Sequence, residues 1–405
     1  MSDPLSLFAD IHYGKSPAGV VAEDGEIPIY GTGGIYGKAS TALFSGPAVI
    51  VPRKGSLSTP HLAEGPFWAS DTTYAAIPKR GVDARWLYYQ LCQFNLESLN
   101  EATGVPSISR DWLAKSALFS HGFDCQKLIA VILRALDTQI EATEASIAKQ
   151  ERVRAGLMQD LFMRGVDAQS QLRPHRDKAP HLYHQTALGW LPLGWEALSV
   201  EHVTDSIIDG PFGSNLKSEH YVDEPGVRVI RLQNIQTGYY DNSDSAYVSD
   251  PHARFLAKFS VLPGDILIAS LGDDRYQAGR ACCYPHGLGP AINKADCFRV
   301  RTDKANVVAE FLMLTFNSDR MRPESVKLIQ GVTRQRINVG NFKKLTVAIP
   351  NLPEQQAIVA AFKRASKPLA RLNAALEELG RLKSGLMQDL LTGKVSVAPL
   401  LESAA

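Results

Sequence analysis

Gly156-Leu157-Met158-Gln159-Asp160-Leu161 recurs letter for letter as Gly385-Leu386-Met387-Gln388-Asp389-Leu390. The copies lie 229 residues apart in a chain of 405, and each closes a long stretch that reads as helix. A repeat of that period, at corresponding places, divides the chain into two similar halves.

The second half carries the cleaner pattern. From Leu352-Pro353-Glu354-Gln355-Gln356 to Leu391, the residues Phe362, Ala365, Leu369, Leu372, Leu376, Leu379, Leu386 and Leu390 follow 3-4 spacing, broken only by Lys383. Such a seam predicts a coiled-coil helix. Pro368 removes a backbone donor and crowds the preceding turn, so a kink or break is expected there. Thr392-Gly393 supplies the stop. One repeat earlier, the seam becomes Leu133, Leu136, Ile140, Thr143, Ile147, Gln150, Arg154, Leu157 and Leu161, weaker through Gln150 and Arg154. Gln126 aligns with Gln355, Ile129 with Ile358 and Arg152 with Arg381, without a gap. Helices of roughly forty residues are about 60 Å long.

Each helix follows a segment rich in glycine, proline, aromatic and β-branched residues. Ala48-Val49-Ile50-Val51, Tyr74-Ala75-Ala76-Ile77, residues 227–232 and residues 265–269 read as strands; residues 86–91 and 310–314 read as short helices. Gly104-Val105 and Ile108-Ser109 match Gly331-Val332 and Ile337-Asn338. The expected domains are a globule over 1–120, helix over 121–166, a polar linker over 167–187, a second globule over 188–350, helix over 351–393, and a tail over 394–405. Burying both seams is easiest if the helices pair antiparallel. The expected fold is α+β: two β-rich α/β domains separated by an antiparallel pair of long coiled-coil helices, with pseudo-two-fold symmetry.

The length calls for more than one core. Hydrophobic residues make up 45% and charged residues 21%, so substantial cores can form. No apolar run of about 18 residues predicts a membrane span, and the start, Met1-Ser2-Asp3-Pro4-Leu5, does not read as a secretory signal. Five cysteines without a C-x-x-C pair argue against a disulfide framework or zinc site and fit a reducing cytoplasm. A net charge of +1 leaves any nucleic-acid surface to local basic clusters.

Several motifs, in order and spacing, resemble the specificity subunit of type I restriction-modification systems. They include Trp190-Leu191-Pro192-Leu193-Gly194-Trp195, Asp209-Gly210-Pro211-Phe212-Gly213-Ser214-Asn215-Leu216-Lys217, Arg231-Leu232-Gln233-Asn234-Ile235 and Pro263-Gly264-Asp265-Ile266-Leu267. Gly331-Val332-Thr333-Arg334-Gln335-Arg336-Ile337 leads to Ile349-Pro350-Asn351-Leu352-Pro353-Glu354-Gln355 and resembles the close of such a domain. Ile29-Tyr30-Gly31-Thr32-Gly33-Gly34, Val51-Pro52-Arg53-Lys54-Gly55 and Phe67-Trp68-Ala69-Ser70-Asp71-Thr72 resemble another variety of it. The resemblance implies two target-recognition domains, each reading half of a split, asymmetric site on double-stranded DNA. It implies a helical spacer that docks methyltransferase subunits, joined in some systems by restriction subunits; the two matching hexapeptides at the helix ends predict two methyltransferase subunits per chain. No cofactor is expected on this chain; the partners would use S-adenosylmethionine, and ATP with Mg where a nuclease subunit is present.

Between Val326 and Lys344 stand Lys327, Arg334, Arg336, Lys343 and Lys344, with no acidic residue. Gln335 and Asn338 lie among them. Arginine, glutamine and asparagine suit base edges and lysine suits phosphate. Lys217 completes the candidate contacts of the second half; the first half offers weaker counterparts in Arg53, Lys54 and Arg110 and in the Lys79-Arg80 cluster. The bland reading of each is ordinary surface charge. Gln159, Asp160, Gln388 and Asp389 are candidate docking residues; their bland reading is helix-end packing. Residues 31–38 only imitate a phosphate loop, and no methyltransferase box or H-E-x-x-H appears, so the chain is expected not to be an enzyme by itself. Two alternatives remain at this stage: an internally duplicated nuclease using Asp273 and Asp274, and a coiled-coil protein scaffold.

Overall fold

The computed structural model describes residues 2–57, 59–223, 226–272, 276–328 and 335–402. Its helices, in chain order, are α1 (Ala84–Gln93), α2 (Arg110–Lys115), α3 (Phe123–Arg164), α4 (Asp250–Phe255), α5 (Ala309–Asn317), α6 (Arg322–Leu328), α7 (Val339–Lys344), α8 (Leu352–Leu391) and α9 (Ala398–Glu402). The chain forms two compact units, Met1–Ile147 with Arg371–Ala405, and Ala148–Ala370. Helix α3 starts in the first unit and ends in the second, and α8 does the reverse.

In the first unit the unbroken apolar run Ala48-Val49-Ile50-Val51 becomes a fully buried strand, Ala48–Pro52. Burial on both faces suits a run without alternation. It lies inside a four-stranded antiparallel sheet, in the order Ala9–Tyr13, Thr73–Pro78, Ala48–Pro52, His61–Ala63. A smaller sheet pairs Ile27–Gly31 antiparallel with Gly34–Ala39 and parallel with Trp68–Ala69. Trp86, Leu87 and Leu91 of α1 pack with Val49, Val51 and Tyr74 in a core that Ile129 and Leu133 of α3 and Leu390 and Leu391 of α8 complete. Ser2–Pro4 pairs with Ala117–Phe119, just before α3.

The second unit repeats this plan. Its four-stranded sheet runs Thr204–Ile208, Cys297–Thr302, Ile266–Ala269, Ala281–Cys283. Val227–Ile230 pairs parallel with Ala291–Asn293, as Ile27–Gly31 does with Trp68–Ala69. Glu196–Ser199 pairs with Thr346–Ile349, just before α8. Phe311 of α5, Trp195, Phe298 and Phe342 form a core with Leu161 and Phe162 of α3 and Ile358 and Val359 of α8. In each unit, therefore, the start of one long helix packs beside the end of the other, which makes the pair antiparallel. The class is α+β, one β-rich plan built twice upon long helices.

Both copies of the repeated hexapeptide take the same burial. Leu161 and Leu390 are buried, Leu157, Met158, Leu386 and Met387 are half-buried against the cores, and Gln159 and Gln388 are exposed. The lone polar break in the seam has an answer as well. Lys383 Nζ lies 2.5 Å from Asp137 Oδ1 of α3, and the Tyr89 hydroxyl donates to Asp137 at 2.5 Å.

Two expectations need correction. The break at Pro368 does not occur, because α8 is continuous through it. Pro368 and Arg364 are both exposed, so water can bond the Arg364 carbonyl that the ring leaves without a donor. The linker over 167–187 is in large part built into the second unit. Val166 bridges Leu172, Tyr183–Thr186 forms a hairpin with Gly189–Pro192, and Arg173 forms a buried pair with Glu354. A polar stretch looked like a tether because its charged partner lies far along the chain. In the loop before α3, His121 donates from Nε2 to the Leu390 carbonyl at 2.9 Å, and burial lowers its pKa.

Candidate nucleic-acid interface

At one end of each four-stranded sheet the first strand turns sharply under a neighbouring backbone. Gly14 follows Ala9–Tyr13, and a Cβ there would fall 2.0 Å from the Ser70 carbonyl oxygen. Gly210 follows Thr204–Ile208 and Asp209, and a Cβ there would fall 2.1 Å from the Lys294 carbonyl carbon. Only glycine allows either approach. Both turns adjoin a second crossing. In the first unit Ile108 N donates to Arg53 O and Lys54 bridges Ser107. In the second, Ile337 N donates to Ser270 O and Leu271–Gly272 pairs with Gln335–Arg336. Ser109 and Asn338, the next residues, cap α2 and α7 with their side chains.

The first unit gathers two of its predicted arginines at this turn. Arg53 lies 5.0 Å and Arg110 5.5 Å from the ring centroid of Tyr13, which is itself 47% exposed. Arg53 also donates to the Asp71 carbonyl at 3.0 Å. Lys54 is exposed beside them. Tyr13 escaped the sequence reading, although its place directly before a glycine was visible.

The second unit places a single predicted arginine on an exposed ring. Arg336 lies 5.2 Å from the ring centroid of Phe212, which is 50% exposed. Its guanidinium is 2.6 Å from Asp296 and 3.9 Å from Asp209. Asp209 also accepts from the backbone N–H groups of Gly210 at 2.8 Å and Asp296 at 2.9 Å. Burial pushes the Asp209 carboxyl up to about 6, against the pull of those two bonds. A guanidinium held by a ring on one side and carboxylates on another keeps its remaining N–H groups in a fixed fork. That fork matches the two acceptors on the edge of guanine.

The other predicted contacts scatter. Gln335 adjoins Arg336 in the short strand, and Lys343 and Lys344 form the last turn of α7. Lys327 pairs with Glu324 on its own helix, and Lys217 with Glu219. The Asn338 oxygen is engaged by Asn341 N as the α7 cap, at 2.7 Å. In the weaker cluster, Lys79 pairs with Asp10. Arg334, and the Asp273 and Asp274 of the nuclease alternative, lie outside the described residues. Among the docking candidates, Asp160 pairs with Arg164 and Asp389 with Lys394, each at 3.0 Å, while Gln159 and Gln388 face outward.

Comparison with known proteins agrees with this architecture. The family model for the type I restriction modification DNA specificity domain matches residues 5–152 and 257–379. The MjaVIII type I restriction enzyme specificity subunit of Methanocaldococcus jannaschii is 22% identical over 324 residues, 79% of this chain and 72% of that one. The EcoKI specificity subunit of Escherichia coli is 25% identical over 208 residues, 51% of this chain and 44% of that one. In fold, the chain resembles the crystal structure of the S subunit from M. genitalium, with a TM-score of 0.60 at 16% identity and 96% of each chain covered. A second type I restriction-modification structure gives a TM-score of 0.56 at 15% identity, with 98% of each chain covered. The family model spans well over half of the sequence, and this protein belongs to the type I restriction-modification DNA specificity family.

Proposed function

We propose that this chain reads a divided, asymmetric site on double-stranded DNA, one half per unit, and performs no chemistry of its own. One observation carries the reading. The same sheet plan occurs twice, and at the same turn each copy lays arginine on an exposed aromatic ring: Arg53 and Arg110 on Tyr13, Arg336 on Phe212. The arginines and rings come from different positions of the shared plan, so two similar readers would recognise different sequences. Family membership speaks against the nuclease and scaffold alternatives. Lys54, Lys217, Lys327, Lys343 and Lys344 would serve phosphates, and Gln335 a base edge.

The partners are two methyltransferase subunits, joined by restriction subunits where the system has them. The equivalent helix ends support this number, since Gln159 and Gln388 stay exposed in matching places. Those partners would bring S-adenosylmethionine, and ATP with Mg where a nuclease is present. Methylation mapping of a genome carrying this chain with its methyltransferase tests the reading. The expected motif is two unlike half-sites around a fixed gap, lost when the chain is deleted. A palindromic or uninterrupted motif contradicts it. Arg336→Ala should weaken binding of cognate DNA by about 1–3 kcal/mol and relax one half-site only; unchanged affinity in a titration removes Arg336 from the reader.

A further inference from the structure

Gln126 and Gln355 align one repeat apart, and their side chains make the same bonds. Gln126 Oε1 accepts from the Asp83 backbone N–H at 2.9 Å, and Gln355 Oε1 accepts from the Val308 N–H at 2.8 Å. Asp83 and Val308 are the N-caps of α1 and α5. Gln126 Nε2 donates to the His121 carbonyl and Gln355 Nε2 to the Pro350 carbonyl, both at 2.8 Å and both two residues before a long helix. Gln355 adds a bond to the Asn306 carbonyl at 2.9 Å. Both glutamines are buried.

The bond to an N-cap N–H is normally made by a Glu or Gln at the third position of the same helix, the reciprocal half of a capping box. Here that position holds Trp86 in α1 and Phe311 in α5, each committed to a core. A glutamine from another helix takes over, and so caps the reader helix from the spacer helix. The neighbours differ between copies, Asp83 against Val308 and His121 against Pro350, yet the bonds agree.

We propose that Gln126 and Gln355 are positioning residues that lock each reader to its own long helix, and thereby fix the number of base pairs between the half-sites. The proposal rests on the two-half-site reading. One added base pair shifts a half-site by about 3.4 Å and about a tenth of a turn. A reader free to pivot on its helix follows such a shift; a locked one does not.

The test uses the full chain with its methyltransferase partner. The substrates are duplexes carrying the mapped half-sites at the native gap, one base pair shorter and one longer. The wild type should favour the native gap. Gln355→Ala and Gln126→Ala should keep both half-site sequences but lose roughly tenfold of that preference. Gln355→Glu keeps the acceptor, loses the Nε2 donations and should fall between; it carries the test if the alanine variants do not fold. Variants that lose thermal stability but keep the full gap preference overturn the proposal. A wild type without any gap preference sinks the two-half-site reading itself, a separate failure.

Discussion

Asp209 is a half-buried carboxylate that accepts from two backbone N–H groups and lies beside Arg336. Its folded carboxyl titrates at about 6, against an ordinary value of 3.8. The folded state thus holds this proton more tightly than the unfolded chain does. That contribution to stability is complete below 3.8 and is lost as pH rises through about 6. Thermal unfolding of the wild type and Asp209→Asn across this window should show the wild type losing ground as pH rises; a pH-independent difference contradicts the assignment. Glu354 makes a second residue-scale prediction. It binds Arg173 bidentately, with the Nη2 bond at 2.8 Å, and accepts from Trp195 Nε1 at 3.0 Å and Val166 N at 2.9 Å. Glu354→Ala leaves a largely buried guanidinium and two buried donors, and should cost about 3–5 kcal/mol in denaturant unfolding. A loss below about 1 kcal/mol would mean that solvent reaches the pair. Neither effect was legible in the sequence, since both depend on partners far along the chain. Arginine and lysine runs, being local, were legible as candidates, but their aromatic supports were not.

At the scale of elements, periodicity revealed most of the structure. The seam gave both long helices because 3-4 spacing is a local property, and the apolar run at Ala48 gave a buried strand for the same reason. Pro368 misled because the rule against internal proline assumes that the orphaned carbonyl is buried, and here that turn is exposed. The proline still lacks a hydrogen bond, so Pro368→Ala should stabilise the protein by up to ~3 kcal/mol, read by helix melting in circular dichroism. No gain would show that α8 already absorbs the ring without loss. Gly14→Ala or Gly210→Ala should disrupt the turn beneath each reader, because the added Cβ meets backbone. Retained solubility and unfolding temperature in either variant would contradict the contacts described there.

For the molecule as a whole, the repeated hexapeptide proved to be a marker of duplicated architecture, and the duplication extends well beyond it. The order of the sheets, the strand before each long helix, the glycine under each reader and the glutamine clamp all recur. Sequence comparison between the halves found the helices and missed the sheets, because the strands share a plan and not residues. That divergence is the substance of the functional account: common geometry for the frame, separate chemistry for each half-site. The most direct test is to replace residues 188–350 with the equivalent segment of a related chain and map methylation again. The account predicts one half-site changed and the other kept. A change in both half-sites, or in neither, contradicts it.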